Sequence, residues 1–153
     1  MHDSIPVLNP IGIPTGAKVI LCFGNLREYK GVDQLITAMS AVVGYVPEAH
    51  LLIVGQPWNA WGQCETLIKD LGLENKVSTV LKYVPMSEVS KYFLIADLVV
   101  LPYKKFDAQS GVGSIALAFG LPLVVTRVGG LTDLVKNQAT IVAPGDWVGI
   151  ANA

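Results

Sequence analysis

The chain has 153 residues, of which 52% are hydrophobic and 15% charged, with a formal net charge of −1. This composition describes one globular domain with a well-filled core and excludes a disordered chain. It also carries no basic excess to suit a nucleic-acid backbone or an anionic membrane, so nucleic acid is not an expected partner.

Cys22 and Cys64 are the only cysteines, and His2 and His50 stand apart from them in sequence. No disulfide framework and no zinc-type spacing follows; reduced, buried thiols of a cytosolic protein are expected, with no metal and no cofactor. The least polar stretch, Gly113 to Val125, is interrupted by Ser114, Gly120 and Pro122. It falls short of the roughly 18 residues a spanning helix needs. Met1 to Pro14 has neither a cationic start nor an apolar signal core. A soluble, cytoplasmic chain is therefore expected, with peripheral contact at the inner membrane face open only through regions missing from it.

In chain order, residues 1–16 carry Pro6, Pro10, Pro14, Gly12 and Gly16 and read as a linker or N-terminal extension, which leaves 17–153 as the domain. Short, β-branched, mostly apolar runs then read as strands: Lys18 to Phe23, His50 to Val54, Val77 to Leu81, Leu98 to Leu101, Pro122 to Thr126 and Thr140 to Val142. Between them lie helical stripes. Val32, Leu35, Ile36, Met39, Val42 and Val43 form one, and Trp61, Cys64, Leu67, Ile68 and Leu71 form a second that Gly72 ends. A third starts at an expected N-cap, Ser87, and aligns Val89, Tyr92, Phe93 and Ala96. Alternation of this kind predicts an α/β fold, a doubly wound and mostly parallel open sheet. Ligands of such sheets sit beyond the carboxyl ends of the strands, where the loops at Gly24, Gly55, Tyr83, Tyr103 and Val128 would gather.

The first of these loops carries the most chemistry. Gly24-Asn25-Leu26-Arg27-Glu28-Tyr29-Lys30-Gly31 follows a strand and opens a helix. Free backbone N–H groups and the positive end of a helix dipole favour a phosphate there, and Gly24, Arg27 and Lys30 are the candidate phosphate ligands. The plain alternative is that the two glycines end a strand and start a helix while the cations face solvent. The octet is not a Walker A motif, because Gly31 stands where that motif needs Ser or Thr for magnesium.

A second candidate lies between Leu101 and Ser114, a strand end followed by a polar loop and a small-residue helix start. Ser110, Gly111 and Val112 would offer backbone N–H groups to a phosphate or sugar, with Asp107 and Gln109 as side-chain partners. A simple helix N-cap at Ser110 is the alternative. Gly111-x-Gly113-x-x-Ala116 also matches a dinucleotide fingerprint in letters. That fingerprint needs its glycines directly after the first strand and an acid roughly 20 residues on, whereas eight residues separate Pro102 from Gly111. Tyr83 and Val84, at a strand end, are placed to flank a nucleoside base. Asp33, Glu65, Asp70 and Glu88 fall on polar helical faces, so no paired carboxylates point to hydrolysis.

Together, G-N-L-R-E-Y-K-G, L-L-I-V-G, Y-V-P-M-S-E-V…A-D-L-V-V-L-P-Y and Q-S-G-V…A-F-G-L-P-L-V-V-T-R-V-G-G-L-T-D-L-V, over residues 18 to 146, resemble the donor-binding half of a retaining family 4 glycosyltransferase, with the GT-B fold (glycosyl transferases group 1). The resemblance implies that Gly24, Arg27, Lys30, Gly111 and Val112 grip the diphosphate of a nucleotide diphosphate sugar, that Asp107, Gln109 and Ser110 meet the sugar, and that Tyr83 and Val84 meet the nucleoside. It implies transfer with retention, no required metal, and an acceptor held by an N-terminal domain that the chain lacks, so that the domain is truncated relative to the full enzyme. Two departures stand out. Asn25 replaces the usual arginine, with Arg27 as its suggested substitute, and the family's two glutamates fall on Asp107 and Ile115. The chain alone is expected to bind donor with little or no transfer, the catalytic residues being unassigned. A non-catalytic nucleotide-binding or interaction domain, and a fragment of a GT-B nucleotide-sugar epimerase, are the alternatives.

Overall fold

A computed structural model describes residue 13 and residues 16–24, 31–57, 61–102, 115–116, 118–126 and 141–142. Six strands, β1 (Lys18–Phe23), β2 (Ala49–Val54), β3 (Val77–Val80), β4 (Leu98–Leu101), β5 (Leu123–Thr126) and β6 (Ile141–Val142), form one sheet in the order β3-β2-β1-β4-β5-β6. Every pairing is parallel. The helices are α1 (Val32–Tyr45), α2 (Trp61–Asp70) and α3 (Met86–Ile95), with further helical residues at 115–116 and 118. The expected α/β, doubly wound open sheet is the observed one.

Alternation along the strands explains the two layers. On one face Ile20, Cys22, Leu51, Ile53, Val100 and Val124 pack with Val32, Leu35, Ile36 and Met39 of α1 and Cys64 of α2. On the other, Val19, Leu21, Leu52, Val54, Val99, Leu101, Leu123 and Val125 pack with Val89, Tyr92, Phe93 and Ala96 of α3 and with Ala116. With both faces of the central strands covered, all six residues of β2 are buried. Both helical stripes and the α3 stripe thus occupy the faces their spacing predicted. Ile13, in the proline- and glycine-rich opening, is buried in the second of these cores, beside Ala17.

Helix ends follow local chemistry. Val46 N–H donates to Val42 O at 2.7 Å, and Pro47 prevents α1 from continuing. After α2, Leu73 N–H reaches back to Ile68 O at 2.9 Å across Gly72, the glycine stop expected there. The start of α3 differs from expectation. Its N-cap is Pro85, in extended conformation with no side-chain cap, and Ser87 lies inside the first turn. Proline already holds the φ that an N-cap requires, and its carbonyl accepts from Glu88 N–H at 2.8 Å, so the helix begins two residues early.

Candidate functional site

With strand order 3-2-1-4-5-6, the direction of winding reverses between β1 and β4, and the loops leaving those two strands diverge to opposite faces. In open α/β sheets this switch point, at the carboxyl ends of the strands, is where a ligand crevice is expected. Ile20 pairs with Leu98 and Leu21 with Val99, a register that sets Gly24 level with Pro102. The loop after β1 and the loop after β4, the two stretches singled out by chemistry, therefore leave the sheet side by side.

Backbone contacts draw these strand ends together. Gly24 N–H donates to Val54 O at 3.0 Å and Gly55 N–H to Val80 O at 2.9 Å, carrying the ladders past the strands. A Cβ on Gly55 would overlap the carbonyl oxygen of Gly24, and a Cβ on Gly31 would overlap that of Pro102. Gly31 is also the N-cap of α1, left-handed at φ 71° and without a side-chain cap. Its carbonyl accepts from Gln34 and Leu35 N–H at 3.0 and 3.2 Å. The positive end of a 14-residue helix is thus held against the end of β4, at the switch point.

The end of β1 packs on aromatic rings of the α3-side core. Phe23, the last residue of β1, lies 5.3 Å from the ring of Phe93 and 6.2 Å from that of Tyr92. After β3, the edge strand, Tyr83 is 68% exposed, while Val84 is half-buried against the α3-side core. Glu88 pairs with Lys91 at 2.9 Å, and that hydrogen bond holds the carboxyl below its ordinary range. The ion pair occupies Glu88, in keeping with a solvated helical face rather than acid–base work.

Of the residues predicted to bind a ligand, Gly24, Tyr83 and Val84 are described, and all three stand at the carboxyl end. Arg27, Lys30, Asp107, Gln109, Ser110, Gly111 and Val112 lie outside the described residues, on the two loops that leave β1 and β4. Ile115, where the resemblance leads one to expect a glutamate, is half-buried against the α3-side core. No group of three or more metal-ligating side chains occurs among the described residues.

A cavity of ≈ 220 Å³ elsewhere, lined by Ile20, Leu35, Met39, Val42, Leu98 and Val124 among others, is apolar and sits beneath α1 toward the amino ends of the strands. It is remote from the crevice. Sequence reading missed the contacts of Gly31 with Pro102 and of Gly55 with Gly24. Both glycines were visible in their motifs, but a close approach between separate loops leaves no local signal.

Residues 7–153 match the family described as Glycosyl transferases group 1. The chain belongs to that family. It is 33% identical over 151 residues to an uncharacterized glycosyltransferase of Methanocaldococcus jannaschii, covering 96% of this chain and 36% of that protein. The glycosyltransferase chain thus spans about a third of the length of the curated relatives it matches. Among solved structures, the C-terminal domain of the group 1 protein LpcC from Francisella tularensis superposes with a TM-score of 0.82 at 19% identity, over 99% of this chain and 80% of that one. HepE of Anabaena, solved in complex with UDP-glucose, gives 0.81 at 22% identity, over 99% and 40%. These structures share the fold, the Rossmann-like half of a GT-B enzyme, and among the described residues no helix is long and apolar enough to cross a membrane.

Proposed function

We propose that this glycosyltransferase domain is the donor-binding half of a retaining family 4 enzyme, transferring a sugar from a nucleotide diphosphate sugar to an acceptor held by a further domain. The observation that carries the reading is the contact at the switch point: the N-terminus of α1, without a side-chain cap, is pressed through Gly31 against Pro102, where one sequence suited to a diphosphate ends and the other begins. The UDP-glucose bound by HepE, a protein of the same fold, supports a nucleotide sugar as the ligand class.

In this reading Gly24, Arg27, Lys30, Gly111 and Val112 hold the diphosphate, Asp107, Gln109 and Ser110 the sugar, and Tyr83 with the Val84 backbone the base. As the sugar leaves, negative charge grows on the diphosphate, and fixed positive groups stabilise it more in the transition state than in the bound donor. Lys30, Arg27 and the helix dipole are placed in sequence to supply that charge.

A second reading, a binding domain without transfer, is favoured by one observation. Ile115, where the resemblance leads one to expect a ribose-contacting glutamate, packs on the core. Backbone amide NMR titration of the chain with UDP, GDP, ADP and NAD tests both. Shifts at residues 24–31, 83–84 and 110–113 with a nucleoside diphosphate are expected. Lys30→Ala should then weaken that ligand by about tenfold or more, the value of one charge-assisted hydrogen bond. Silence with every nucleotide removes the donor-site reading, and tight binding without transfer by a full-length protein selects the second.

A further inference from the structure

Gly31 is the residue at which the first loop, the helix and the end of β4 meet. Its Cβ position is filled by the carbonyl oxygen and carbon of Pro102, and its φ of 71° is one that L side chains rarely adopt. Pro102 opens the loop that runs to Ser110–Val112. Gly31 itself closes the loop that carries Arg27 and Lys30. A backbone contact is stiffer than one between side chains, because neither partner has a rotamer to yield.

We propose that Gly31 is a positioning residue, setting the distance between the start of α1 and the end of β4 on which the affinity for a diphosphate depends. Gly55, seated on the Gly24 carbonyl, does the same between the ends of β2 and β1. The inference rests on the donor-site reading above and adds to it that ligand affinity depends on this backbone approach. Any side chain at Gly31 pushes α1 and the end of β4 apart by roughly an ångström or more, enough to break simultaneous contacts without unfolding the sheet.

Gly16 supplies the control. It too is left-handed, at φ 84°, yet a Cβ there meets nothing within 4 Å, and it lies before β1, at the opposite end of the strand from the crevice. Gly31→Ala, Gly31→Asn and Gly16→Ala are titrated with inorganic pyrophosphate and UDP, and their urea midpoints are measured in parallel. Asparagine tolerates the left-handed region but retains the Cβ, so it separates backbone strain from close approach. Both Gly31 variants should bind UDP and pyrophosphate about tenfold or more weaker. Gly16→Ala should lose stability and keep its affinity.

Wild-type affinity in Gly31→Asn overturns the inference while leaving the donor site standing; absence of any response in the wild-type chain overturns both. Should the Gly31 variants fail to fold, the wild-type titration decides. The amides of Gly31 and Leu101 should shift with one midpoint, and a shift at Gly31 with Leu101 silent overturns the coupling.

Discussion

At the start of β4 one carboxylate does the work of a strand pair. Asp97 Oδ2 accepts from Val19 N–H at 2.7 Å, and Asp97 N–H donates to Val19 O at 2.8 Å, so side chain and backbone together clamp β4 to β1. These are the two strands at the switch point. Asp97→Ala removes the charged acceptor from a part-buried amide and should cost about 1–3 kcal/mol, read as a lower urea midpoint with unchanged slope. His50 is the other residue of note. It is buried on β2 and shares a 2.7 Å hydrogen bond with Ser78 Oγ on the neighbouring strand. Burial first, and the charge of Lys76 second, lower its proton affinity in the fold. The unfolded chain takes up that proton below about pH 6.5, the ordinary imidazole value, and the folded chain only at lower pH. Stability should therefore fall as pH drops through that window. Urea midpoints at about pH 5.5 and 7.5 check it, and His50→Gln should flatten the difference.

Among the elements, α3 carries the buried aromatic side chains Tyr92 and Phe93. Phe93 is 1% exposed, with ring contacts at 5.3 Å to Phe23 on β1 and 5.8 Å to Phe119. It ties the end of β1 to the segment that leads into β5. Phe93→Ala should destabilise by about 3–5 kcal/mol through lost burial and a residual cavity, measured by thermal or urea unfolding. By contrast α2 buries only Cys64 deeply and presents an exposed Glu65, bonded to Trp61 Nε1 at 3.0 Å, on its outer side.

Over the whole molecule, stability is graded across the sheet. β1 and β2 have a parallel partner on each side and helices on both faces, whereas β3 is an edge strand whose residues are only part-buried or exposed. Native-state amide hydrogen exchange should be slowest at Leu21, Leu51 and Ile53 and markedly faster in β3; equal protection in β3 would contradict the grading. β1, one of the two strands at the switch point, belongs to this doubly paired centre. A site meant to hold a ligand in fixed geometry is better supported by such strands than by an edge.

Short apolar, β-branched runs identified all six strands and 3.6-residue spacing the three helical stripes, and their alternation gave the α/β class, because such residues must face a core wherever the chain goes. The chemistry of Gly24 to Gly31 was equally local, since a strand, a cationic glycine loop and a helix start follow one another in the chain. Ser87 was misread as a cap because proline at position 85 satisfied the same geometric need without a hydrogen-bonding side chain. The clamp from Asp97 to Val19, the bond from His50 to Ser78, and the contacts of Gly31 with Pro102 and of Gly55 with Gly24 join residues distant in sequence. No pattern in a linear string encodes them, since they depend on strand order and register. Those follow from how the crossovers wind and how both faces of the sheet are filled at once.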